Sequence, residues 1–210
     1  KNGERSLLFY AGLRRVAADT EKRLEKKMKL AIFDMDGTLF NTNDINYYAY
    51  KEALSKYNVF IDYDYYCNYC NGRSYKVFIP PLVNNDKEKI EDIHKIKKNA
   101  YSKYLDKVKV NEHLFNIIDK LKVDYNIALV TTASKKNTYE ILEYTRKKDL
   151  FNLILTAEDI KNPKPDPEGF ILAMSKFDIE PKDCIIFEDS DVGLEAAKRT
   201  KSNVFKVESV

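Results

Sequence analysis

The chain has 210 residues, of which 44% are hydrophobic and 33% are charged, so it can bury one full core and a small second domain. Its 36 basic residues nearly balance its 33 acidic ones, which argues against nucleic acid as a partner. No apolar run approaches the ~20 residues of a membrane helix, and the first residues lack the apolar region of a signal peptide. Three scattered cysteines do not form a disulfide framework, so we expect a cytoplasmic protein without membrane contacts.

The first 27 residues precede the first strand signal. Phe9, Leu13 and Val16 keep helical spacing, and Lys and Arg occupy the other faces. We interpret residues 1–27 as a helical extension or linker beside the core. An oligomerisation helix, or the end of an upstream domain, is the alternative. For the whole chain we expect a monomer or a weak oligomer.

The first strand signal is the apolar run at residues 30–33, which is typical of a strand buried in a parallel sheet. It ends in two carboxylates one residue apart, Asp34 and Asp36, followed by Gly37. The carboxyl end of a parallel strand is where α/β proteins place their sites. Two acids there suit a carboxylate nucleophile, an acid/base partner and a hard cation. Alone, the pattern could equally be a turn with solvated aspartates.

The next stretch, residues 43–110, has helical rather than strand character and is too long for a loop. We call it the inserted segment and predict a small helical domain. Eleven of the 15 tyrosines lie between residues 44 and 104, where we expect them to form the core and interface of that domain. Cys67 and Cys70 have metal-ligand spacing, but the chain offers no second pair for a zinc site.

Two further strand ends carry polar groups. The apolar run 127–130 leads into residues 131–134, whose hydroxyl and main-chain N–H groups can hold phosphate oxygens or cap the next helix. Downstream, three prolines within residues 163–167 stiffen a loop that carries Lys164, a cation able to neutralise a phosphate and a carboxylate. The last such run, residues 184–187, leads into an acidic cluster suited to Mg²⁺.

Strands and helices alternate outside the inserted segment, which predicts a parallel sheet covered on both faces. Leu114, Ile118 and Leu121 mark one face of a helix before the second apolar run. The fold class is therefore α/β, a Rossmann-like sheet from residues 28–42 and 111–210. Further helices are predicted over 135–147, 168–178 and 191–199, with strands near 153–156 and 203–207.

The four strand-end motifs, in this order, resemble those of the haloacid dehalogenase (HAD) superfamily, in particular its beta-phosphoglucomutase-like members. Residues 34–38 match the first motif, and the match extends from residue 28 to about 210. Thr131 and Thr132 compete for the second motif, and the residues that follow favour Thr132. Lys164 fits the third motif because it keeps the family's distance to Phe170.

The resemblance implies a phosphatase with a helical cap, Mg²⁺ as cofactor and a small phosphorylated metabolite as substrate. Asp34 would be the nucleophile and Asp36 the acid/base group, while Thr132 and Lys164 would bind the reacting phosphate. The implied metal ligands are Asp34, the Asp36 carbonyl, Asp189 and, through water, Glu188.

Substrate contacts follow from the same resemblance. They would be made by Thr132, Ala133, Ser134 and Lys135 in the core, and by Gly72 and Arg73 in a cap loop.

Three alternatives share part of this pattern. A beta-phosphoglucomutase-like mutase would use the same core residues, but Asn46 stands where such enzymes carry a His. A receiver-type signalling module has a different order of motifs and no insertion. A catalytically inactive binding domain would not need the complete set of catalytic groups.

Overall fold

A five-stranded parallel sheet forms the centre of the protein in a computed structural model that describes residues 28–71 and 73–208. The strands, in chain order, are β1 (Lys29–Phe33), β2 (Phe40–Asn41), β3 (Lys109–Val110), β4 (Tyr125–Val130), β5 (Leu153–Leu155), β6 (Cys184–Glu188) and β7 (Asn203–Lys206). The order across the sheet is β5-β4-β1-β6-β7, and all four neighbouring pairs are parallel. Strands β2 and β3 form a separate antiparallel pair.

Strand β1 is apolar throughout its inner part because both faces of the sheet are covered. Ala31 and Phe33 point into one buried cluster, while Leu30 and Ile32 point into the other. All four side chains are fully buried. This alternation follows from the two-residue period of a strand, and it places β1 at the middle of two apolar layers.

Helices cover both faces of the sheet. In chain order they are α1 (Asn43–Ser55), α2 (Tyr63–Tyr65), α3 (Tyr75–Phe78), α4 (Lys87–Ala100), α5 (Glu112–Leu121), α6 (Lys135–Tyr144), α7 (Glu168–Lys176) and α8 (Asp191–Arg199). Helices α5 and α6 pack on the Phe33 side, and α7 and α8 pack on the Ile32 side. The predicted α/β class is confirmed, and α6 and α7 end two or three residues earlier than predicted.

The inserted segment is helical from α1 to a 3₁₀ helix at Tyr101–Lys107, with a π-helical turn at Tyr66–Cys70. It contains an apolar cluster of its own that includes Tyr47, Tyr50 and Tyr66. Its last residues form strand β3, although only helical character was expected there. The pairing of β2 with β3 brings the two ends of the segment together.

The inserted segment also packs against the core. Ile45, Tyr101 and Leu105 belong to the apolar cluster under the sheet rather than to the segment's own cluster. The Asn137 side-chain amide on α6 donates a hydrogen bond to the Lys98 carbonyl on α4, at 3.0 Å. These contacts hold α4 over the carboxyl ends of the central strands.

Two parts of the sequence interpretation lie outside the described residues, namely the extension at residues 1–27 and the loop glycine Gly72. Within the ranges that the structure describes, no helix is both long enough and apolar enough to cross a membrane. Both cysteines of the spaced pair are free thiols, with Cys67 exposed and Cys70 buried.

Candidate active site

The site lies where β1, β4 and β6 end side by side. Phe33, the last residue of β1, is level with Leu129 on β4 and Phe187 on β6. The next residue, Asp34, continues the pattern, since its N–H donates to the Phe187 carbonyl at 3.0 Å. Parallel strands in register therefore bring the polar residues that follow them to one edge of the sheet.

Lys164 joins two of these strand ends. Its ammonium donates to Asp34 Oδ1 at 2.5 Å and to Glu188 Oε2 at 2.7 Å. It also lies over the Phe170 ring, with its Nζ atom 5.1 Å from the ring centre. Burial by itself lowers the pKa of Lys164, but the two carboxylates outweigh burial and hold that pKa above its usual value. Lys164 is therefore a permanent cation at the proposed nucleophile.

Asp36 has a different set of partners. Its Oδ1 accepts a hydrogen bond from the Thr42 hydroxyl, which in turn accepts one from the Asn46 amide at 3.1 Å. Burial raises the pKa of Asp36, and the Thr42 hydrogen bond and the positive charge of Lys97 oppose the rise. A raised pKa favours the protonated carboxyl group that a general acid requires.

Three carboxylates converge beside Lys164. Oxygen atoms of Asp34, Glu188 and Asp189 all lie within 4.8 Å of one another. One ammonium leaves two negative charges uncompensated among these four side chains, and burial raises the pKa of Asp34 and of Asp189. Such a set of hard oxygen donors fits a divalent cation, which would offset both the excess charge and the cost of burying it.

Because Gly37 has no side chain, the main chain leaves room there for the Asp189 carboxylate. Gly37 has a φ of +89°, and a Cβ atom there would overlap the Asp189 carboxylate. Thr38, the next residue, donates its hydroxyl hydrogen to Asp189 Oδ1 at 2.7 Å. The turn after β1 therefore both admits Asp189 and orients it.

Glu188 is fully buried and both of its carboxylate oxygens are engaged. Oε2 accepts from Lys164, and Oε1 accepts from the Ser190 N–H at 3.1 Å and the Ser190 hydroxyl at 2.8 Å. The Ser190 hydroxyl also accepts from Gly193 at the start of α8. Glu188 thus fixes Lys164 to the β6–α8 turn.

The second motif is placed beside the same strand ends. Thr131 is buried, and its hydroxyl accepts a hydrogen bond from the Ala133 N–H at 3.0 Å. Thr132 is exposed and lines a cavity together with Lys164. Ser134 caps α6 by accepting from Asn137, and the Lys135 N–H donates to Glu158. At this helix start, the Ser134 hydroxyl and the Lys135 main-chain N–H, both at predicted substrate contacts, are hydrogen-bonded within the protein.

The cavity has a volume of about 370 Å³ and lies between the inserted segment and the loops after β4 and β5. Its walls are mixed, since apolar side chains alternate with cations. Among the lining residues are Thr132, Lys164, Phe170, Ile160, Tyr75 and Lys76. Its size suits a small metabolite.

Arg73, the predicted cap contact, is exposed, and its side chain forms no ion pair within the described part of the chain. The inserted segment instead brings a different cation, Lys97, towards the site. Burial lowers the pKa of Lys97 to about 8, and the Asp36 carboxylate opposes that shift. The sequence interpretation missed Lys97 and Thr42. The signal for Lys97 was a lysine within the apolar stripe of α4, four residues after Ile93.

Comparison with known proteins identifies the class. The chain belongs to the haloacid dehalogenase-like hydrolase family, whose model matches residues 31–207. The resemblance inferred from the strand-end motifs is thereby confirmed.

Individual relatives agree with this assignment. A phosphorylated carbohydrates phosphatase from Thermotoga maritima is 30% identical over 181 residues, which are 81% of each chain. The pyrophosphatase PpaX of Bacillus velezensis is 29% identical over 177 residues, covering 79% of this chain and 76% of its own. The crystal structure of CbbY from Rhodobacter sphaeroides in complex with phosphate superimposes with a TM-score of 0.76. That match covers 87% of both chains at 23% identity and shows a shared fold.

Proposed function

We propose that the protein is a Mg²⁺-dependent phosphomonoester hydrolase that acts on a small phosphorylated metabolite through an aspartyl-phosphate on Asp34. The observation that carries this proposal is the buried Lys164 ammonium, which contacts the carboxylate of Asp34 at the end of the central strand. A carboxylate can approach an anionic phosphate only where positive charge offsets the repulsion. The names of the relatives support the same chemistry.

The two aspartates have different roles in this proposal, and each role agrees with the hydrogen-bond partners of that aspartate. Asp34 Oδ1 is held by Lys164, which aligns the carboxylate for attack on phosphorus. Asp36 would protonate the leaving oxygen and then take a proton from the water that hydrolyses the phosphoenzyme. Thr132 and Lys164 would bind the phosphate oxygens that the cavity admits.

In this proposal, the three carboxylates beside Lys164 form most of the metal site. Asp34, Asp189 and the Asp36 carbonyl would hold Mg²⁺, with Glu188 contributing through water. When bound, the ion supplies charge neutralisation and orientation of the phosphate. Gly37 and Thr38 serve this site by admitting and orienting Asp189.

The inserted segment would act as the cap that covers the substrate. Lys97 would place a positive charge near Asp36, and Gly72 and Arg73 would contact the substrate from the cap loop. Ala133, Ser134 and Lys135 would line the opposite side. The core would then correspond to residues 28–42 and 111–210.

A phosphate-release screen over a panel of phosphorylated metabolites with Mg²⁺ tests the proposal. Asp34→Asn removes the nucleophile and a metal ligand together, so we expect a loss of at least ~10³-fold in kcat. Asp119→Asn is the matched control, since Asp119 lies on the surface of α5 and pairs with Lys122. Substantial turnover by Asp34→Asn, or equal loss in the control, would contradict the covalent mechanism.

A further inference from the structure

The proposed nucleophile is buried, although a phosphate group has to reach it. Asp34 is 6% exposed, and the side chain of Lys164 beside it is 9% exposed. The cavity that Lys164 lines has one wall from residues 74–76 of the inserted segment, and its other walls come from the core. For a phosphate group to reach Asp34, the segment has to move away from the core, so the structure shows a closed arrangement.

The two ends of the inserted segment are fixed to the core by hydrogen bonds. Strands β2 and β3 pair there, and the Asn111 N–H donates to the Leu39 carbonyl at 2.9 Å. The Asn111 side-chain amide donates to the Thr38 carbonyl at 3.1 Å. Two apolar contacts of the segment with the core, Ile45 and Leu105, each lie four residues from these strands. A movement that opens the cavity therefore pivots at β2 and β3 and breaks the contacts that α4 makes with the core.

These contacts of α4 are polar. The buried Asn137 amide donates to the Lys98 carbonyl at 3.0 Å. The Lys98 ammonium lies 3.7 Å from Glu158 Oε1 in the loop after β5. The Lys136 ammonium donates to Asn99 Oδ1 at 2.8 Å. We call these five residues the latch.

The core side of the latch is held in place and adjoins the cavity. Glu158 Oε2 accepts from the Lys135 N–H at 2.7 Å, which fixes this carboxylate to the start of α6. Thr156 and Asp159 form a capping box around the 3₁₀ turn that carries Glu158. Ala157, the residue before Glu158, lines the cavity. The latch therefore joins the segment to the core at the edge of the cavity.

We propose that the latch holds the inserted segment closed over the cavity, so that its strength sets the fraction of molecules open to substrate. The link to turnover rests on the proposed hydrolase function, whereas the closure itself does not. Four of the five latch side chains are exposed or half-buried, so water can replace their partners when the segment moves. An exposed ion pair, or one hydrogen bond, changes such an equilibrium by about two- to fivefold. The latch therefore closes the cavity reversibly.

Two labels measure this closure without a substrate. Cys67 is an exposed thiol in the segment, the other two cysteines are buried, and Lys182→Cys adds a thiol at an exposed site of the core. Spin labels on both thiols report the distance from segment to core by pulsed electron paramagnetic resonance. We expect one distance with the latch intact and a second, longer distance in Glu158→Gln/Asn137→Ala. Each single variant should raise the ratio of open to closed molecules about two- to fivefold.

Salt separates the ion pair of the latch from its hydrogen bonds. Raising NaCl from about 0.1 M to about 1 M should increase the open fraction when Glu158 is present and should not change it in Glu158→Gln. Glu143→Gln is the matched control, because Glu143 on α6 pairs with Lys148 within the core at 3.0 Å. A single, unchanged distance in Glu158→Gln/Asn137→Ala, or an equal effect of Glu143→Gln, would overturn the latch. Because the measurement uses no substrate, failure of the latch and failure of the hydrolase proposal appear in separate experiments.

Discussion

Lys164 and Lys161 lie three residues apart in one loop but have different surroundings. The Lys164 side chain is 9% exposed and bridges two carboxylates, whereas Lys161 is exposed. We expect Lys164→Ala to lower kcat by at least ~10²-fold, because the charge beside the nucleophile is worth several kcal/mol in the transition state. Lys161→Ala and Asn162→Ala, assayed in parallel for phosphate release, should stay within a few-fold of wild type. If Asn162→Ala were as damaging as Lys164→Ala, the third motif would be misassigned.

Lys97 has a pKa of about 8, and this lowered pKa makes the stability of the protein depend on pH. An unfolded lysine has a pKa near 10.4, so between about pH 8 and pH 10 the unfolded state binds more protons than the folded state. The free energy of unfolding contributed by Lys97 therefore rises with pH across that window. Below pH 8 the ammonium of this half-buried lysine is charged in both states, and its loss of hydration on folding lowers stability.

Lys97→Met should accordingly be more stable than wild type at pH 7, by about 1–2 kcal/mol, and this advantage should shrink as the pH approaches 10. Urea unfolding at pH 7 and pH 9.5 measures the difference, and Lys182→Met, at an exposed lysine, is the control. A stability difference that does not change with pH would contradict the altered pKa. The same variant should lose activity, which would make Lys97 a residue retained for function at the expense of stability.

At the scale of secondary-structure elements, the apolar pattern of the sequence predicted most accurately the strands that are buried on both faces. The continuous apolar runs of β1, β4 and β6 marked the three strands that meet at the site, because a strand covered on both faces cannot be polar. The start of α8 was also predicted correctly, since Ser190 is a strong N-cap signal. Helix ends were less accurate, because α6 and α7 end without the glycine that usually marks a helix end.

The short strands and the partners of Asp36 were harder to predict from the sequence. Strands β2 and β3 have two residues each, which is too short for any periodicity to show. The partners of Asp36 were missed because Thr42 becomes its neighbour only when the chain turns back after Gly37. Lys97 does stand out as a lysine in the apolar stripe of α4, but its electrostatic interaction with Asp36 depends on tertiary packing, which sequence spacing alone does not specify. The core motifs could therefore be predicted from the sequence, whereas the contribution of the inserted segment could not.

For the molecule as a whole, the open question between hydrolase and mutase depends on Asn46. Its amide donates to Thr42, and Asn has no side-chain proton to exchange near neutral pH. We therefore expect water rather than a sugar hydroxyl to accept the phosphoryl group. With beta-glucose 1-phosphate and catalytic glucose 1,6-bisphosphate, inorganic phosphate should form faster than glucose 6-phosphate. Isomerisation much faster than phosphate release would establish the mutase alternative.

The central position of β1 in the sheet also affects how readily the strand that carries Asp34 opens by local unfolding. Strand β1 is hydrogen-bonded along both edges, to β4 and to β6, so its amides become accessible to hydrogen exchange only when the sheet itself comes apart. The inserted segment joins the core through one two-residue strand pair, through packed side chains such as Ile45 and Leu105, and through the hydrogen bond from Asn137 to Lys98. Opening fluctuations confined to that segment therefore leave Asp34 on an intact strand. We therefore expect the amides of β1 to exchange more slowly than those of the helices in the inserted segment, which hydrogen exchange measured residue by residue would show.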